Sequence, residues 1–473
     1  MKPYQPQNYS FEDAAHLLRR AGFGGTITEI KKIQALGPQL AVESLLILSN
    51  NDQTQNNPHS VEKTFKDALE AKGGKVAGAQ GAVIPTLQAW WVHKMLSTNQ
   101  PLKEKMTLFW HGHFATGQDK VRNAFFLQQQ NEVFRSMGFG KFDALTLAVA
   151  KDPAMLRYLD NDENVKDHPN ENFARELMEL FTMGVHGGYT EKDVQESARA
   201  FTGWTFQTKN KDIESYKNPQ FVFMAKNHDT GTKTILGQVG NYDGADIVRI
   251  VTHHPSSAEF MTAKIWRYFV SEDLPESVHQ DLIKTWVNSK LDIRELLRAI
   301  FTSQEFYASE NRNNLIKSPI EYVVGSLRSV NAKLMLEQEL TLLGMLSAQA
   351  QIPFYPPNVK GWDGGLDWIA DTTLLNRIQF MGVIASGKIA MRPRLKQDAK
   401  GEKTPPQPID GLQFPHGSSL SETIDLVGQT FLGEKPSGVL RKALETFAKG
   451  RNTPEVSKGL SYLVLISPHY HLA

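Results

Sequence analysis

The chain has no cysteine in 473 residues. That excludes disulfides, thiolate nucleophiles, zinc–thiolate and iron–sulfur sites, and covalent c-type haem attachment. Any metal must be held by His, Asp, Glu, amide or carbonyl groups. Net charge is equally scant, +1 from 52 basic and 51 acidic residues, so nothing pulls the chain as a whole toward nucleic acid or an anionic membrane. No window supplies the roughly eighteen consecutive apolar residues that a membrane span needs. The opening MKPYQPQNYSFEDAAHLL has no apolar run between a basic flank and a small-residue cleavage site, so no secretory signal is read and the chain as written is expected in the cytoplasm. A G-x-S-x-G serine elbow, a phosphate loop and a dinucleotide fingerprint are also missing, which removes the commonest assignable chemistries.

What is present is helical periodicity over a 40% hydrophobic chain, enough to bury a substantial core. The predicted fold is mainly α, a multi-helical globular array with a small β-hairpin excursion near residues 220–240. Residues 1–394 form the expected main body, with the hairpin inserted at 219–242. Residues 395–415, charged and proline-rich, are expected as a linker or loop, and 416–473 as helices packing back on the body.

Pro169 to Gly188, PNENFARELMELFTMGVHGG, is the stretch with the most concentrated chemistry. Read as one helix, it gathers Asn172, Arg175, Glu176 and Glu179 in a sector of roughly 100°, with no lysine among them. Such a group suits an internal polar network or a metal shell; the structural alternative is an exposed face with a Glu171–Arg175 ion pair. Thr190 and Asp193 fit a capping box that opens a second helix, EKDVQESARAFTGW, with Asp193 and Trp204 on its small and polar stripe.

Elsewhere, Ser10 and Asp13 make a capping box for FEDAAHLLRRAG, whose Arg19 and Arg20 suit an anion or the central carboxylates; the alternative is a basic surface turn. In FWHGHF, His111 and His113 flank a glycine, and at a helix end both rings can converge on one point, as metal ligands or acid–base groups. The alternative is an aromatic packing knot with hydrogen-bonded core histidines. DNDEN at Asp160 lacks the glycine and distal glutamate of an EF-hand and reads as a solvated loop. FVFM and KTILG are the expected hairpin strands, with His228 and Asp229 at the turn, beside Lys233, as a lid or as turn chemistry. Trp362 and Trp368 sit on a Pro/Gly-spaced loop, as a sugar-stacking platform or a plug in the core.

NENFARELMELFTMG followed by YTEKDVQESARAFTGW, with HLLRRAGFG near the start and FWHGHFATG between, resembles the bacterial family catalogued as domain of unknown function 1800. The resemblance runs from about His16 to the final SPHYHLA. It implies a large, mostly helical protein without an assigned activity. It also implies a partner similar to the alkaline phosphatase and sulfatase superfamily, encoded nearby. Many members are exported, which leaves export open beside the cytoplasmic reading.

The functional expectation is a helical enzyme. His111, His113, Glu176, Glu179 and Asp193 are its catalytic candidates, and Arg19, Arg20, Asn172, Arg175, Trp204, His228, Asp229 and Trp362 its binding candidates. His111, His113 and Glu176 are the expected ligands of a divalent metal, which would support hydrolysis of a carbohydrate or of a sulfated or phosphorylated substrate; metal-free acid–base work fits the same residues. The alternative is a non-catalytic helical binding or assembly partner in which the polar cluster is a structural network. A membrane-associated or haem-binding role ranks last, for want of a span, an attachment motif or a basic amphipathic helix.

Overall fold

The computed structural model describes residues 1–48, 57–207, 217–389 and 406–473. Local signals set its helix starts. Ser10 Oγ accepts the Asp13 N–H while the Asp13 carboxylate accepts the Ser10 N–H, each at 3.0 Å, opening helix α1 (Phe11–Arg20). Its Ala14, Ala15, Leu17 and Leu18 turn into the core and carry Arg20, only 2% exposed, in with them. Helix α2 (Pro101–His113) begins on a proline whose missing N–H costs nothing there. It is buried on nearly every side, its Glu104 and Lys105 paired inside with Arg135 and Glu321.

The stretch expected as a single helix from Pro169 is shorter and changes its winding. Helix α3 (Asn172–Glu176) runs on into a π-helical turn, Leu177–Thr182. The Met183 N–H reaches back to the Met178 carbonyl at 2.8 Å, the five-residue step of a π bulge. Gly184 at φ +80° ends it, and the Thr190–Asp193 capping box opens helix α4 (Glu191–Ala200). That helix stops four residues before Trp204, which instead begins a strand.

The expected hairpin is two separate ribbons. Strand β1 (Trp204–Gln207) pairs antiparallel with β2 (Gln220–Phe223), and β3 (Lys233–Ile235) with β4 (Gln238–Gly240). FVFM and KTILG are both extended but do not pair with each other. Leu236 and Gly237, both with positive φ (50° and 78°), make the two-residue turn that returns β3 directly onto β4. β2 therefore takes β1 as partner, and His228 and Asp229 fall in the connector between ribbons. A third small ribbon pairs β5 (Lys388–Ile389) with β6 (Gln407–Pro408). Most of the expected linker at 395–415 lies outside the described residues, which resume at 406.

Helices α5 (Pro255–Phe269) and α6 (Pro319–Ser329) complete the frame around the site. The last helices and the closing turn bear on α6: the Tyr322 hydroxyl donates to the Leu465 carbonyl at 3.2 Å, and Ser326 and Tyr470 share a hydrogen bond of 2.7 Å. One contiguous apolar cluster runs from Tyr9 to Tyr470, with Trp91, Trp110, Trp266 and Trp286 fully enclosed. Among the described residues no helix is long and apolar enough to cross a membrane.

Candidate functional site

The polar face of α3 is surface. Arg175 forks onto Glu191 with two bonds of 2.7 Å and reaches Glu171 at 2.9 Å. The Arg175 side chain is one-third exposed and that of Glu191 is 71% exposed, and Asn172 is exposed beside them. Glu176 and Glu179 lie half-buried; burial, and then the charge of Glu179, raise the Glu176 pKa. Asp193 closes its capping box and also accepts the Leu236 N–H at 2.7 Å. Burial works against its ionisation, but the bonds from Thr190 and Leu236 outweigh it and hold the carboxyl below its ordinary range.

His111 and His113 do not converge. His111 Nε2 accepts the Phe354 N–H at 3.0 Å, its ring set among Trp91, Phe354 and Trp362. His113 Nε2 donates to the Phe181 carbonyl at 3.0 Å, its ring set among Phe109, Trp110, Phe114 and Phe181. The two shells share no member, because residues two apart leave a helix in different directions. Burial brings the His111 pKa down to about 3 and pushes His113 well below its ordinary value, so both rings are neutral. Among the described residues no group of three or more His, Asp or Glu side chains is placed to hold a metal ion; the expected set of His111, His113 and Glu176 is not assembled.

The remaining expected residues divide. His228 Nδ1 donates to the Thr202 carbonyl at 2.9 Å, and Asp229 takes the Arg199 guanidinium at 2.7 and 3.1 Å. Both thus pin the connector to the end of α4. Trp204 is 3% exposed, stacked edge-on between Phe201 and Phe221. Arg19 donates to the Leu432 carbonyl and, with Lys317, lines a hollow of about 30 Å³ beside the glycine loop after α1, room for about one water.

Arg20 and Trp362 do come together, in a cavity of about 330 Å³ between the end of α1, helices α2 and α5, and the loop at residues 360–368. The loop meets the end of α2 where Gly361 lies close against the Gly112 carbonyl, and upstream of it the Phe354 N–H donates to His111. Its wall carries Arg20, Lys105, Lys264, Arg267 and Lys360 against Glu272, Glu321 and Asp363. Lys105 is spoken for by Glu321, and Lys360 by Asp363 at 2.5 Å. Arg20, Lys264 and Arg267 have no carboxylate partner among the described residues.

Arg20 is the most constrained of the three. Its Nη2 donates to the Asn311 carbonyl at 2.8 Å and to the Asn314 side chain, while Nε and Nη1 are buried with no partner. Burial, and then neighbouring Arg19, bring its pKa down to about 9, still charged at neutral pH. Lys264 stands over the Phe260 ring at 5.4 Å; burial and the Lys360 ammonium bring it down to about 8. Phe109, Tyr268, Trp362 and Trp368 supply the apolar wall, and His113 lines the same cavity, its Nδ1 buried without a partner.

Lys105, Lys264 and Lys360 were not expected. Lys360 sits on the same Pro/Gly-spaced loop as Trp362. Lys105 and Lys264 leave only a faint signal, each one charge among others on its helix, beside Lys103 and Glu104 in α2 and Glu259 and Arg267 in α5. Glu339 is a further surprise: buried, it takes His59 at 2.5 Å and His93 at 2.8 Å on its two oxygens, cross-linking two helices away from the cavity.

A family model described as Protein of unknown function (DUF1800) matches residues 16–472. No curated protein and no solved structure matches the chain.

Proposed function

The chain belongs to the DUF1800 family, which carries no assigned activity, and we propose that it is a helical binding protein that takes a small anionic ligand into the cavity between α1, α2 and α5. The observation that carries this is Arg20, a buried guanidinium with two nitrogens lacking partners on the wall of that cavity. A buried, under-paired charge is costly unless something compensates it, and an anion in the cavity is the compensation. Lys264 and Arg267, also without carboxylates, extend the positive wall. Arg20 brings the planar fork suited to carboxylate, sulfate or phosphate.

The binding reading gains over the enzymatic one because three of the five expected catalytic groups, Asp193, His111 and His113, are engaged elsewhere, and Glu176 and Glu179 do not line the cavity. Asp193 caps a helix and the histidines hold backbone groups, while Arg175, a binding candidate, is tied to surface carboxylates. A phosphatase- or sulfatase-like partner rests on the family resemblance, and a sulfated or phosphorylated ligand would be in keeping with it.

Calorimetric titration at low ionic strength with inorganic sulfate, inorganic phosphate and glucuronate tests the reading. At least one anion is expected to bind, more weakly as salt is added, and at least ten-fold more weakly to Arg20→Met. No binding by any of the three, or equal binding to Arg20→Met, would overturn it.

A further inference from the structure

The cations explain an anion, but they do not explain the rest of the wall. Resting on the anion reading, we infer that the ligand is an acidic sugar, a hydroxylated ring bearing a carboxylate, sulfate or phosphate. Three further features of the cavity ask for more than a bare anion.

The first is aromatic. Trp362 and Trp368 line the cavity from its loop and Tyr268 from α5, aromatic side chains of the kind on which the C–H face of a sugar ring rests.

The second is His113. Its Nε2 must carry the proton, since the Phe181 carbonyl can only accept. In a neutral ring Nδ1 is then a lone pair, and it is buried without a partner. Burial, and then the charge of Lys264, keep the ring neutral. A buried acceptor beside a set of cations is met by a ligand that has a hydroxyl to donate as well as a negative group. A sulfate ion has none.

The third is space. At about 330 Å³ the cavity is at the small end of ligand pockets, which run from roughly 300 to 1,000 Å³. This suits one ring and its substituent. Gly112 lies in α2 on the cavity wall, and a Cβ built there meets no atom within 4 Å, so the glycine leaves the width of a side chain open next to His113. The geometry seats the charged group against Arg20 and Lys264, the ring over Trp362, and a hydroxyl toward His113.

The test compares glucuronate, glucose 6-sulfate and glucose 6-phosphate with glucose and with inorganic sulfate and phosphate, on the wild type and on Gly112→Val. At least one acidic sugar is expected to bind ten-fold or more tightly than both glucose and the inorganic anions. Gly112→Val, with a thermal midpoint close to the wild type, is expected to lose that preference and keep the inorganic anion. Equal affinity for acidic sugars and inorganic anions would overturn the sugar assignment and leave the anion reading standing. Glucose binding as tightly as its acidic derivatives would overturn both. A preference that survives Gly112→Val would overturn the placement of the ring beside α2.

Discussion

Gly361 rests on the backbone carbonyl of Gly112: a Cβ added at Gly361 would stand 2.3 Å from that oxygen. Its φ of +87° is also one that residues with a side chain rarely adopt. Gly361→Ala must lift the loop that carries Lys360 and Trp362 away from α2. The expected cost is about 1–3 kcal/mol from left-handed strain and the clash together, with a change in tryptophan emission and weaker ligand binding. Thermal unfolding and fluorescence read both effects.

Arg20→Met should separate stability from binding. The cation it removes is under-paired in the free protein, so stability is expected within about 1 kcal/mol of the wild type or above it. Ligand should stabilise the wild type and not the variant. Urea unfolding with and without ligand decides; a loss of several kcal/mol in the free variant would show the guanidinium to be fully compensated already.

Lys264 makes the affinity depend on pH. With a pKa of about 8 it is charged at neutrality and discharges as pH rises through that value, so anion affinity is expected to fall there. In Lys264→Met the affinity should be lower throughout and the step near pH 8 absent. Calorimetry from pH 6.5 to 9.5 follows it.

Asp152 caps the helix Pro153–Tyr158, accepting the N–H groups of Ala154 and Met155 at 3.0 and 3.2 Å. Burial lifts its pKa to about 7, far above the roughly 3.9 of an unfolded aspartate. Between those values the native state holds a proton that the unfolded state has released. Its contribution to stability is therefore complete below about pH 4 and lost as pH rises through 7. Asp152→Asn keeps the capping oxygen without the titration. Its stability relative to the wild type should climb by about 1.4 kcal/mol per pH unit over that window and level off above it.

The ion pairs of α3 provide a control. Arg175→Ala removes contacts at the surface, where such pairs contribute little. The thermal midpoint and the anion affinity should both stay close to the wild type; a loss of binding would return α3 to the site.

What was legible in the sequence was what neighbours in sequence decide. The capping boxes at Ser10–Asp13 and Thr190–Asp193 are spelled within four residues, and both form. Helical periodicity carried the architecture for the same reason. The π turn escaped because LMELFT has the same apolar spacing in either winding. The histidines were misplaced because the direction of His111 depends on Phe354, 243 positions along, and that of His113 on Phe181. Arg20 was noticed as a cation, but its neighbours Lys105 and Lys264 come from helices whose meeting no local pattern announces.

The π turn at Leu177–Thr182 also fixes how this region can vary. Its five-residue step is equivalent to one residue more than the helix needs. Deleting a single residue there would restore ordinary winding and, because the turn holds the surplus residue, leave the flanking segments close to their present phase, with the change confined to the turn itself. Phe181 lies within that turn, so its carbonyl, which accepts from His113 at the cavity wall, is the group a deletion there would displace. A one-residue change in a turn outside the cavity would therefore reach the cavity wall through His113, whereas the described residues of the ribbons at 204–240 contribute nothing to its lining.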